Sequence, residues 1–221
     1  MFPRLARAVF LGALLVAPLA ARAQQEFPPP SGGKARVVVI ASGSSGQPAY
    51  RDLAGRIAKL GYDVVLYDGQ ALAPSATLHA TIAQALAMPH ALPGKVGLIG
   101  LSLGGGAVLG YGTSASDVVA VVAAWYPATS GIKDVDALAA RITVPTVMFA
   151  GENDTYNHCC LIDKARAIAR AAQAHGAPFE LTTYPNTQHH FIVGSETYKP
   201  QAFADAFRRT DIALKKYLGG D

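Results

Sequence analysis

Gly100-Leu101-Ser102-Leu103-Gly104 sets a serine between glycines in the spacing G-x-S-x-G. A serine hydroxyl attacks a carbonyl only when a base takes its proton, and the base works best when a third group orients it. The chain order that goes with this spacing is Ser, acid, His. The acid is sought in Gly151-Glu152-Asn153-Asp154, where Asp154 is the first choice; Glu152 and Asp163 are rivals. The base is sought in Tyr184-Pro185-Asn186-Thr187-Gln188-His189-His190-Phe191, and residue chemistry alone does not choose between the two histidines. His79, His90, His158 and His175 fall outside the order and read as surface or capping residues. The oxyanion of a tetrahedral intermediate needs two fixed backbone donors. The N–H of Leu103 is one candidate, and the N–H of Ser44, with Ser45 as the alternative, is the other. The glycines come with neither G-x-G-x-x-G nor a P-loop lysine, which sets aside a phosphate-binding loop.

These residues must be positioned by the elements around them. Residues 35–41, 62–67, 95–101, 117–124, 144–150 and 179–184 are apolar or β-branched runs and read as six strands. Residues 50–60, 77–88, 103–111, 161–175 and 200–218 read as helices, several of them ended by Gly or Pro. Alternation of this kind predicts a single-domain α/β fold. Its sheet is doubly wound, mostly parallel and of about six strands, with helices on both faces. With the first of these strands central, the loops after the first and third lie side by side at the switch point, where ligands bind. G-x-S-x-G falls where the third strand becomes a small-residue helix, as a nucleophile elbow requires. The connection over residues 125–143 is about as long as a parallel crossover needs, so no cap domain is predicted. The pocket is then expected to be open and shallow, walled by Trp125, Tyr126 and Tyr156.

At this point the chain resembles the dienelactone hydrolase family of the α/β-hydrolase superfamily. The resemblance rests on residues 97–105, 151–154 and 184–191 and on the C-terminal pattern with Ala202, Asp205, Ala206 and Arg209. Residues 184–191 are similar to the family's Y-P-G-A-G-H-G-F. Aligned without gaps, His189 takes the histidine place and His190 the glycine after it, so the resemblance selects His189. Founding members use a cysteine nucleophile and a glutamate after the first strand. Here Ser102 and the stretch Ser42-Gly43-Ser44-Ser45-Gly46 stand in those places. The implied activity is hydrolysis of small esters or lactones through Ser102, Asp154 and His189, without a metal or organic cofactor. A peptidase or acyltransferase with the same three residues, a non-catalytic hydrolase-like binding protein and a thiol-redox protein are the alternatives.

Composition bounds the context. Residues 1–23 begin with Arg4 and Arg7, continue in a 13-residue apolar run and end in Ala21-Arg22-Ala23. That reads as a secretory signal cleaved after Ala23, giving a secreted or periplasmic protein; the run is too short to span a bilayer. Residues 24–34 read as a flexible Pro/Gly-rich tether, and residues 35–221 as the catalytic domain. The chain carries +4 with 19 basic and 15 acidic residues. Three of the arginines and none of the acids lie in residues 1–23, so the remainder carries +1. Such a charge gives no electrostatic case for nucleic acid or an anionic membrane, and a small molecule is the expected partner. The two cysteines, Cys159 and Cys160, are adjacent. They can be free thiols, a vicinal disulfide or an intermolecular bridge.

Overall fold

The computed structural model describes residues 24–219. The signal reading falls on residues 1–23 and lies outside them. The strands are β1 (Gln25–Phe27), β2 (Val37–Ala41), β3 (Asp63–Tyr67), β4 (Val96–Leu101), β5 (Val119–Trp125), β6 (Thr146–Gly151) and β7 (Phe179–Tyr184). The helices are α1 (Arg51–Ala58), α2 (Ser75–Leu86), α3 (Leu103–Tyr111), α4 (Val135–Ala139), α5 (Ile162–Ala174) and α6 (Pro200–Tyr217). They build one seven-stranded sheet in the order β1-β3-β2-β4-β5-β6-β7, parallel except for β1, which runs antiparallel to β3. The α/β architecture read from the sequence is therefore present, with one strand more than expected. Gln25–Phe27 is not tether: it pairs with Val64, Val65 and Leu66 and closes the sheet edge. Three residues carry no alternation to read, and their strand character comes from the partner.

Parallel strands buried on both faces need apolar side chains in both directions, and the two cores show the period of two. Val38, Ile40, Val64, Leu66, Ile99, Val121 and Ala123 face α1 and α6, meeting Leu53, Ile57, Phe203 and Leu214. Val37, Val39, Val65, Leu98, Val122 and Ala124 face the other way, onto Leu78 and Ile82 of α2 and Val108 and Leu109 of α3. The connection between β5 and β6 is spent on α4, whose Ala139 packs with Ala172 of α5. Among the described residues no helix is long and apolar enough to cross a membrane.

At the amino end of the strands, Asp63 is fully buried. Burial, reinforced by the Glu26 charge, pushes its carboxyl up to about 6. His90 lies beside it, its Nδ1 2.9 Å from Glu26 Oε1.

Candidate active site

The central pairing of β2 with β4 brings the loops after those strands together. Ser102 follows β4 directly and has φ 52° and ψ −111°. A non-glycine residue rarely adopts such a backbone, and the turn throws the side chain above the sheet edge. Its carbonyl accepts from the amides of Gly106 at 2.9 Å and Ala128 at 2.8 Å, which hold the turn. Gly104 lies so close to β2 that a Cβ there would run into the carbonyls of Ala41 and Ser42; its N–H donates to Ser42 O at 3.1 Å.

The acid and the histidine come from neighbouring loops that touch. A Cβ on Gly151 would meet the Thr187 carbonyl, and the Asn153 N–H donates to that carbonyl at 3.0 Å. His189 Nδ1 lies 2.7 Å from Asp154 Oδ2, and His189 Nε2 lies 2.9 Å from Ser102 Oγ. A carboxylate only accepts, so Nδ1 carries the proton and Nε2 is left to accept from the serine. The other Asp154 oxygen accepts from the Tyr156 N–H at 3.2 Å. Ser102, Asp154 and His189 are all buried. The arrangement can remove a proton from a serine hydroxyl and return it to a leaving group.

The rival residues lie elsewhere. Glu152 pairs with Arg166 at 2.9 Å and accepts from Thr183 at 2.8 Å. Asp163 sits in the first turn of α5. His190 turns away to pack against the rings of Tyr50 and Tyr126. Burial, and secondarily the neighbouring His189 imidazole, lowers its pKa. Its φ is 59°, in the left-handed region that favours glycine. Asn186, at another glycine place of the Y-P-G-A-G-H-G-F pattern, has φ 52°. His79 and His175 pair with Asp117 and Asp136 on the exposed surface.

A cavity of about 580 Å³ opens over Ser102 and His189. Ser44, Ser45 and Tyr156 line it. The Tyr156 ring lies 4.7 Å from the His189 ring and within 4° of parallel. Leu103 follows the serine at the head of α3, and among the described residues no backbone carbonyl accepts from the amides of Leu103, Ser44 or Ser45. Two expected wall residues belong below the floor instead. Trp125 is fully buried, donates to Thr210 at 3.2 Å and packs on Phe149, Phe191 and Phe203. It shares its sheet face with Val121 and Ala123, a parity that alternation along β5 already contained. Tyr126 is also buried and supports the His189 ring edge-on at 4.9 Å.

The sequence reading missed Tyr50 and residues 194–197. The Tyr50 phenol borders the cavity. Burial raises its pKa, against the Ser45 side chain and the Gly43 amide, which pull the other way. Gly194, Ser195, Glu196 and Thr197 form the far wall. The Thr197 hydroxyl donates to the carbonyls of His189 and His190 and ties that wall to the histidine loop. Neither feature leaves a periodic or motif signal.

Cys159 and Cys160 are joined as a vicinal disulfide. The Cys159 carbonyl accepts from the amides of Thr129 and Ser130, both at 2.8 Å, which pins the loop bearing Asp154 and Tyr156 to the segment after β5. The two sulfurs lie within 4.8 Å of a His189 nitrogen, but in a disulfide they have no thiolate to offer a metal.

The sequence profile of the dienelactone hydrolase family matches residues 71–218. The chain belongs to the dienelactone hydrolase family. It is accordingly a hydrolase that acts on ester bonds. A candidate dienelactone hydrolase from Klebsiella pneumoniae is similar over 88% of this chain and 92% of its own, with TM-score 0.74 and 19% identity. Est1E from Butyrivibrio proteoclasticus covers 89% of this chain and 94% of its own, with TM-score 0.67 and 12% identity. A dienelactone hydrolase-like promiscuous phosphotriesterase, P91, from metagenomic libraries covers 84% and 87%, with TM-score 0.67 and 16% identity. At these identities the structures share the fold, an α/β hydrolase. No curated protein sequence matches the chain.

Proposed function

We propose that this dienelactone hydrolase family member is a serine hydrolase that cleaves small esters or lactones through an acyl-enzyme on Ser102. The observation that carries the reading is the unbroken hydrogen-bond chain from Asp154 through His189 to Ser102 at the floor of a cavity. Ser102 Oγ attacks the ester carbonyl while His189 Nε2 takes its proton. Asp154 holds the imidazole and offsets the charge it gains. The amides of Leu103 and of Ser44, with Ser45 alongside, face the developing oxyanion. The imidazolium then protonates the departing alkoxide, leaving an acyl group on Ser102. A water deprotonated by His189 attacks that acyl group, and the acid leaves with the serine restored.

The cavity wall favours small substrates. Among the described residues no Val, Leu, Ile, Met or Phe side chain lines it, and the rings of Tyr50 and Tyr156 beside Ser102 and His189 give a short acyl group apolar surface without an aliphatic channel for a long one. The leader-like residues 1–23 and the vicinal disulfide both suit export to an oxidising compartment. The test is a fluorophosphonate probe on the purified protein, with the adduct mapped by mass spectrometry. One label on the peptide holding Ser102, absent from Ser102→Ala, is expected. A folded protein that takes no label, or takes it elsewhere, overturns the reading.

A further inference from the structure

The amino end of the sheet holds a second meeting of carboxylates and imidazole, far from the elbow. Glu26 comes from β1, Asp63 from the first position of β3 and His90 from the loop after α2. One ligand atom from each, two carboxylate oxygens and an imidazole nitrogen, lies within 4.8 Å of the others. Asp63 has no solvent exposure, and neither of its oxygens meets a hydrogen-bond partner. Buried carboxylates are normally paired, hydrogen-bonded or bound to a metal. Here His90 is committed to Glu26, with Nδ1 at 2.9 Å and the backbone N–H at 3.4 Å from the same oxygen. Among the described residues no lysine or arginine forms an ion pair with Asp63 or Glu26. Asp63 thus faces the Glu26 carboxylate, with the His90 imidazole beside the pair.

We propose that Glu26, Asp63 and His90 form a binding site for one divalent cation of the zinc type. Two carboxylates and a dication balance in charge. An imidazole in the set favours Zn²⁺, with Mn²⁺ next, over Ca²⁺, which takes six to eight oxygens. Around a tetrahedral ion with bonds of about 2.0–2.2 Å the donor atoms stand about 3.3–3.6 Å apart, so His90 Nδ1 and Glu26 Oε1, now 2.9 Å apart, open by a few tenths of an ångström, while the other separations, all within 4.8 Å, close by about 1 Å at most. Three protein ligands leave the fourth position to water, which the partly exposed His90 side admits. The ligands are remote in sequence, so the ion ties the antiparallel edge strand to the sheet and to the loop after α2. Asp63 begins its strand whereas Ser102 follows the end of another. The cation therefore acts on stability at the edge opposite the serine.

The experiment uses the disulfide-intact protein, stripped with EDTA, and ZnCl₂ as the probe. Calorimetric titration is expected to give one Zn²⁺ per chain. Thermal unfolding at a hundredfold excess over Kd is expected to rise by about 5–10 °C and to fall back with EDTA. His90→Gln, at a partly exposed position, is expected to fold and to bind at least tenfold more weakly. Asp63→Asn is expected to do the same, and His79→Gln, which breaks an exposed His–Asp pair, to bind as the wild type does. No uptake of Zn²⁺ or Mn²⁺ up to about 100 μM overturns the proposal. So does His90→Gln binding as tightly as the wild type, since another site then holds the ion.

Discussion

The two edges of the sheet use the same residue types to different ends. At the carboxyl edge Asp154 and His189 lie 2.7 Å apart, and at the amino edge Glu26 and His90 lie 2.9 Å apart. Two further pairs, His79–Asp117 and His175–Asp136, have similar distances on the open surface. A short imidazole–carboxylate contact is therefore common in this molecule and assigns nothing by itself. What differs is the far side of the ring. His189 has Ser102 on its second nitrogen and Asp154 has both oxygens engaged, so every polar atom in that row has a partner. At the other edge the row ends in the orphaned carboxylate of Asp63. A complete row can pass a proton along; an incomplete one calls for a cation.

The largest effect that sharpens this contrast is on turnover. Ser102→Ala, His189→Ala and Asp154→Ala are each expected to lower kcat/KM for p-nitrophenyl acetate by about 10³-fold or more. Asp117→Ala and Asp136→Ala, which break pairs of similar length, should stay within about twofold. A Ser102→Ala protein retaining a tenth of wild-type turnover would erase the distinction between the edges.

A smaller effect concerns the amino edge and pH, measured with EDTA present. Asp63 has an ordinary value of 3.8 and is raised to about 6 in the fold. Between those values the native state binds more protons than the unfolded one. Stability therefore falls as pH rises through that window and stays lowered above it. Asp63→Asn removes the charge and is expected to be more stable than wild type at pH 7, by on the order of 1–3 kcal/mol. The advantage should vanish by about pH 4. Denaturant unfolding at both pH values checks this, and a wild type that is the more stable at pH 7 would show that the ionised carboxylate has a partner.

The two histidines give a finer test. His190→Ala should cost no more than about tenfold in kcat/KM, through looser packing on Tyr126. His190→Gly should match or exceed His190→Ala in thermal stability, because glycine relieves the left-handed backbone. A loss in His190→Ala equal to that in His189→Ala would place a second proton carrier in the site.

Least in size is the response to acyl length. From p-nitrophenyl acetate to butyrate and octanoate, kcat/KM is expected to change by less than about threefold, measured below micelle formation. Full burial of each methylene would add about 0.8 kcal/mol, so a steady climb to octanoate would reveal an acyl tunnel.

How far the sequence carried these assignments follows from where signals reside. Five of the six parallel strands were legible because burial on both faces forces nearly continuous apolar runs, β7 at the sheet edge because its partly buried run is aromatic and β-branched, and the elbow because its glycines are sterically required. β1 was not legible: Gln25–Phe27 becomes a strand only by pairing with β3. The expectation that Trp125 walls the pocket failed although the alternation through Val121 and Ala123 already pointed it inward. The choice between His189 and His190 needed either the family pattern or coordinates, since adjacent residues differ only in backbone direction. Residues 194–197 had no signal, because a loop that works by hydroxyl-to-carbonyl bonds leaves no period.

The tight seats of Gly104 and Gly151 set a rule for anyone diversifying this enzyme in the laboratory. Any side chain at the first collides with the Ala41 and Ser42 carbonyls, and at the second with that of Thr187. Codons there are best left untouched in a library, since even alanine must displace main chain to fit. Randomisation is better directed at Glu196 and Tyr156, which border the cavity on exposed positions. Screens built on that division would spend their clones on selectivity instead of on collapsed folds.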